Sequence, residues 1–199
     1  MPQLHLNASC RTFAALVTLG LAPAALAAPA MDDAAELRSL EHSGFPEPFA
    51  LASSWDPALA RETYATIAAS LRASGARRVL GPSLQIGRDP RRGRIEQSFG
   101  EDPCLVGEMG VAAIEGLQGT GKTRDLAPGK VLAAITDFAG PGLPRDGVGP
   151  IPVSERELRE VYFPPFEQAL GRTAIGAIVP SRNAIDGIPS HASPWLLGE

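Results

Sequence analysis

The chain has 199 residues, 18 basic and 22 acidic side chains and a formal charge of −4, which suits one domain and gives no basic surface for gripping nucleic acid. Apolar residues make up 44% and charged residues 20%, a balance that excludes wholesale disorder. Three His (His5, His42, His191) and two Cys (Cys10, Cys104) are too few for a zinc ribbon or a disulfide framework.

Phe13 to Ala27 is an uncharged apolar run behind Arg11, with small-residue cleavage sites at Ala25-Leu26-Ala27 and Ala28-Pro29-Ala30. This grammar predicts a signal peptide over residues 1–30 and a periplasmic or secreted mature protein. The run is shorter than the roughly 20 apolar residues that span a bilayer, so no membrane contact is expected after cleavage. Gly20 and Pro23 would break the alternative, a buried helix. Cleavage leaves Cys104 alone, without a partner for an internal disulfide.

Beyond the leader, helices alternate with short apolar strands. Asp56-Pro57 predicts a capped helix start, with Leu59, Ile67, Ala68 and Leu71 on its apolar face and Gly75 as its stop. Arg78 to Ile86 reads as a buried strand. Asp102-Pro103 opens a second helix, with Leu105, Met109, Ala112, Ala113 and Leu117 on one face and Gly119 after it. Val131 to Phe138 is a second strand, and a Gly/Pro-rich loop follows to Val153. Ser154 and Glu157 make a capping box for a third helix, kinked or ended by Pro164-Pro165. Ala174 to Val179 is a third strand, and Ser193-Pro194 starts a last helix. The alternation predicts an α/β fold with parallel strands joined by right-handed crossovers. Chemistry in such folds gathers at the C-terminal strand ends, here the loops 87–100, 137–149 and 180–191.

Gly116 to Thr123 matches the phosphate-loop pattern letter for letter. That loop needs a strand before it and a helix starting at its Lys. Residues Glu108 to Leu117 read as helix, and Arg124-Asp125-Leu126-Ala127-Pro128 is too short and Pro-bounded for the helix required. The match is read as a helix end and a polar turn.

The segment from Gly87 to Gly119, GRDPRRGRIEQSFGEDPCLVGEMGVAAIEGLQG, resembles the signature of family 3 glycoside hydrolases. Further segments keep that family's order: Phe49 to Pro57 (FALASSWDP), Phe138-Ala139-Gly140, Ser154 to Phe166, Pro180 to Asn183, Ile185 to Ala192, and Trp195-Leu196-Leu197. The likeness runs over about residues 44–197, which makes 31–199 an incomplete N-terminal barrel domain of that family. The resemblance implies a partial (β/α)8 TIM-type barrel and retaining hydrolysis of β-linked glucoside or xyloside oligosaccharides, with no cofactor. In that chemistry one carboxylate attacks the anomeric carbon and a second carboxylic acid protonates the leaving oxygen.

Arg94 matches a sugar-binding Arg of the family, whose planar fork suits two adjacent hydroxyls; the alternative is a structural salt bridge with Glu101 or Asp102. Several positions depart from the pattern. The family's Lys-His pair falls on Thr136-Asp137, its substrate-contacting Tyr on Arg182, a Trp on Arg92 and an Asp on Gln85. Asp137 and Arg182 thus join Arg94 as candidate substrate contacts, although a solvated strand-end Asp is the plainer reading of Asp137. The resemblance places the nucleophilic Asp and the acid/base residue beyond Glu199, so this chain by itself is expected to be inactive. A non-catalytic sugar-binding fragment is the alternative. Asp186 reads as a turn residue and His191 as a loop His bonded to backbone. Ser181, His191 and Asp186 make a hydrolytic triad on paper only, since no nucleophile-elbow pattern surrounds Ser181.

Overall fold

The computed structural model describes residues 45–89, 95–120, 126–140 and 152–198. The predicted leader, Arg92, Arg94 and Lys122 lie outside them.

Local sequence explains most of the element starts. Helix α1 spans Pro48–Ala52 and helix α2 spans Pro57–Ala73. The Asp56 carboxylate accepts hydrogen bonds from the Ala58 and Leu59 amides at 2.9 and 3.2 Å, and Pro57 supplies a first-turn residue with no amide to satisfy. Gly75 leaves the helix at φ 98°, a conformation open to glycine at little cost. The face predicted for α2 needs correction at its first turn. Leu59 is exposed, and the buried stripe is Ala60, Tyr64, Ile67, Ala68 and Leu71.

Strand β1 covers Arg78–Ser83, helix α3 Pro103–Gln118 and strand β2 Leu132–Phe138. Asp102 caps α3 through the Leu105 amide at 2.7 Å. The single apolar face predicted for α3 is too narrow. From Val106 to Gln118 every residue but Glu108 and Glu115 is buried, because α2, the sheet and a later helix enclose it. Glycines permit that approach. A Cβ on Gly116 would sit 2.5 Å from the Arg61 carbonyl of α2, and one on Gly107 would strike the Gln168 side chain.

The third predicted helix is broken in two. Helix α4 covers Glu155–Glu157, with Ser154 Oγ accepting from the Glu157 amide, and a π turn runs over Leu158–Tyr162. Helix α5 then spans Pro164–Arg172. Pro164 and Pro165 have no amide N–H to return to the carbonyls four residues back, so the Phe163 amide reaches the Leu158 carbonyl instead, at 2.8 Å. Strand β3 is Ala177–Pro180, three residues later than the predicted start. A hairpin that the alternation did not predict follows, β4 Ala184–Ile185 and β5 Ile188–Pro189, turning at Asp186 and Gly187 with φ 51° and 79°. Helix α6, Pro194–Gly198, is the last.

The sheet order is β1-β2-β3, parallel throughout, with Arg78 opposite Leu132, Ser83 opposite Thr136, Ile135 opposite Ile178 and Phe138 opposite Pro180. One face is sealed by α2, α3 and α5: Val79, Ala133 and Ile135 are buried there with Leu71, Ile114, Leu117 and Phe166. The opposite face is only half covered, and Leu80 remains 38% exposed on it. Among the described residues no helix is long and apolar enough to cross a membrane.

Candidate functional site

The C-terminal ends of the three parallel strands place the described starts of the predicted loops at one edge of the sheet. At the end of β1, Leu84 and Ile86 are buried and the chain folds back on Ser98 to Gly100. Ser98 Oγ donates to the Gln85 carbonyl at 2.7 Å and accepts from the Gly100 amide at 3.0 Å; the Gly87 amide donates to the Gly100 carbonyl at 2.8 Å. These bonds pinch together the two ends of the segment that carries Arg94. A shallow hollow lies there, lined by Gln85, Ile86, Gly87, Arg88, Ile95 and Ser98.

Arg88 is engaged within the protein. Its Nη1 lies 2.7 Å from Glu157 Oε1, so the RDP segment is tied to helix α4. Hydrogen bonding to Tyr162 first, and Glu157 after it, push the Arg88 pKa above its ordinary value. Asp102, one proposed partner of Arg94, is engaged as the α3 cap.

Asp137 stands at the end of β2 with φ 64°, in the left-handed region that a non-glycine residue seldom adopts. Its Oδ2 accepts from Ser83 Oγ at 2.9 Å and from Thr136 Oγ1 at 3.2 Å. The expected solvated strand-end carboxylate is therefore corrected: Asp137 is half-buried and braced by two hydroxyls. Ala139 and Gly140 follow at φ 71° and 116°. Phe138 turns away into a cluster with Phe163 and Phe166, at centroid distances of 5.7 and 5.1 Å, and Trp195 joins through Phe163 at 6.1 Å. Arg159 caps this cluster over the Trp195 ring.

Past β3, the Ser181 amide donates to the Phe138 carbonyl at 2.8 Å, so the loops after β2 and β3 are joined. Arg182 is exposed and Asn183 wholly buried beside Gly140. The paper triad dissolves: Ser181 is buried, while His191 and Asp186 are exposed. The His191 side chain makes no hydrogen bond to a described residue, contrary to its expected backbone bond. Among the described residues no three His, Cys, Asp or Glu gather as a metal site would require.

The GLQG segment proves to be architecture. Gln118 Nε2 donates to the Ala174 carbonyl at 2.6 Å and its Oε1 accepts from the Ala133 amide at 2.8 Å, bridging the entries of β2 and β3. Gly116 lies inside α3 against α2, and its carbonyl accepts from Lys130 Nζ at 2.8 Å. The helix that precedes the phosphate-loop pattern removes the strand that such a loop needs.

Comparison with known proteins decides the lineage. The family model described as the glycosyl hydrolase family 3 N-terminal domain matches residues 19–199. The chain belongs to glycoside hydrolase family 3. A β-xylosidase of Formosa agariphila is 42% identical over 156 residues, covering 77% of this chain and 21% of that protein. A β-glucosidase of Rhizobium radiobacter is 33% identical, over 77% of this chain and 18% of its own length. Among solved structures, a β-glucosidase of Erythrobacter marinus superposes with a TM-score of 0.73 at 31% identity, over 77% of this chain and 20% of that one. A mutant β-glucosidase of Listeria innocua in complex with laminaribiose gives 0.68 at 31% identity, over 76% and 21%. The family 3 chain described here thus spans about a fifth of the relatives it matches. Its three parallel strands and covering helices are part of the family's TIM-type α/β barrel.

Proposed function

We propose that this chain supplies the sugar-binding rim of an exported retaining β-glucosidase or β-xylosidase. The observation that carries the reading is at the C-terminal edge of the parallel sheet, where the Ser181 amide joins the SRN segment to the FAG segment and Ser83, at the end of β1, holds the Asp137 carboxylate. Arg94 would donate to adjacent hydroxyls and Asp137 would accept from another, with Arg182 exposed in the loop after β3. The named activities of the relatives favour β-linked glucosides or xylosides as the substrate class. Export is supported by the leader grammar alone.

We further propose that the chain by itself binds sugar without hydrolysing it. Retaining hydrolysis requires two carboxyl groups about 5 Å apart across the scissile bond. The described strand ends offer the Asp137 carboxylate, and its Oδ2 is already engaged by two hydroxyls. The test is hydrolysis of an aryl β-glucoside and an aryl β-xyloside by the purified chain, alongside thermal stabilisation by glucose and xylose. Stabilisation without turnover is expected, and Arg94→Ala should abolish it. Turnover above buffer that disappears in Asp137→Asn would make Asp137 catalytic and overturn this second proposal.

A further inference from the structure

We infer that Ser83 is a positioning residue of the sugar site: it holds Asp137 through Oδ2 and leaves Oδ1 as the acceptor offered to a substrate hydroxyl. The inference rests on the reading of Asp137 as a sugar contact and adds how that contact is aimed. Ser83 ends β1 directly opposite Thr136, so strand register alone brings its hydroxyl to the neighbouring carboxylate. Its Oγ accepts from the Gln85 amide at 3.3 Å, which directs its own proton outward to Asp137 Oδ2, 2.9 Å away. Thr136 Oγ1 donates to the same oxygen at 3.2 Å.

A carboxylate oxygen has two lone pairs, and both of those on Oδ2 are used. Oδ1 accepts nothing from a described residue, yet it belongs to a half-buried ion that gains from a donor. With Oδ2 saturated, the carboxylate has no second oxygen for a bidentate guanidinium. It suits a single donor, which is what a sugar hydroxyl presents. The backbone supports the same reading. Asp137 is held at φ 64° and Ala139 at φ 71°, and strained conformations persist where the surroundings over-determine them. The Ser83 and Thr136 bonds are the side-chain part of that constraint.

The test is calorimetric titration of the full chain with glucose and its monodeoxy analogues, in wild type, Ser83→Ala, Ser83→Thr and Asp137→Asn. Asn tolerates the left-handed backbone, so that variant changes the acceptor and spares the turn. In wild type, removing the hydroxyl that meets Oδ1 should weaken binding about tenfold, the loss of one charge-assisted hydrogen bond. That discrimination should fall to under about twofold in Asp137→Asn and to about threefold in Ser83→Ala, and Ser83→Thr should restore it. A merely structural role for Ser83 would lower the melting temperature and leave the discrimination intact. Wild-type discrimination in Ser83→Ala, with loss in Asp137→Asn, would overturn the inference and keep Asp137 as a sugar contact. Unchanged discrimination in Asp137→Asn, or no binding of glucose by the wild type, would overturn both.

Discussion

Behind the sheet, Leu71, Ile114, Leu117 and Ile135 are wholly enclosed and the helices meet through glycines. At its C-terminal rim, Asp137, Ala139 and Asp186 take left-handed backbone, and Arg182 and His191 lie exposed. The first region is closely packed around a buried apolar core, whereas the second turns its backbone out of regular conformations around a fixed carboxylate. The contrast separates two kinds of family motif. GLQG, FGED and SWDP build the helical layer, through Gly116 and Gln118, Phe99 and Asp102, and Asp56. The segments at the strand ends hold the polar groups.

Substitutions behind the sheet should be read in stability, and those at the rim in sugar binding. The largest effect is expected at Gly116→Val, whose Cβ would meet the Arg61 carbonyl at 2.5 Å. Backbone cannot give way as a side chain can, so urea unfolding should show a loss of about 3 kcal/mol or no folded protein at all. Ile135→Ala opens a cavity under the sheet and should cost about 3 kcal/mol in the same measurement. Asp56→Ala removes two capping bonds from an exposed helix end and should cost about 1 kcal/mol. Arg88→Ala breaks a half-exposed ion pair and should cost less than about 1 kcal/mol, the difference shrinking in high salt. The smallest change in stability is expected at Asp137→Asn, under about 0.5 kcal/mol, although sugar binding should weaken there by about tenfold. A large stability loss from that rim substitution would erase the contrast between the regions.

Legibility in the sequence follows the range of each interaction. The caps at Asp56, Asp102 and Ser154 were readable because a cap is settled within three residues. The outward turn of Leu59 was not, since the orientation of α2 is set by its contact with α3, far along the chain. The start of β3 depends on a distant strand in the same way: the Gly176 amide already donates to the Ala133 carbonyl at 3.1 Å, and pairing in register begins at Ala177 opposite Ala134. At the candidate site, Asp137 and Arg182 stood out in the sequence as departures from a family pattern. Ser83 was not, because only the pairing of β1 with β2 brings it to Asp137.

The most direct test of the account is a map of amide shifts in the isotopically labelled full chain titrated with glucose and with xylose. The account predicts perturbations concentrated at Ser83–Arg88, Asp137–Gly140 and Ser181–Asn183, with Leu71, Ile114 and Leu117 unmoved. Perturbations centred on the helical layer, or none with either sugar, would contradict it.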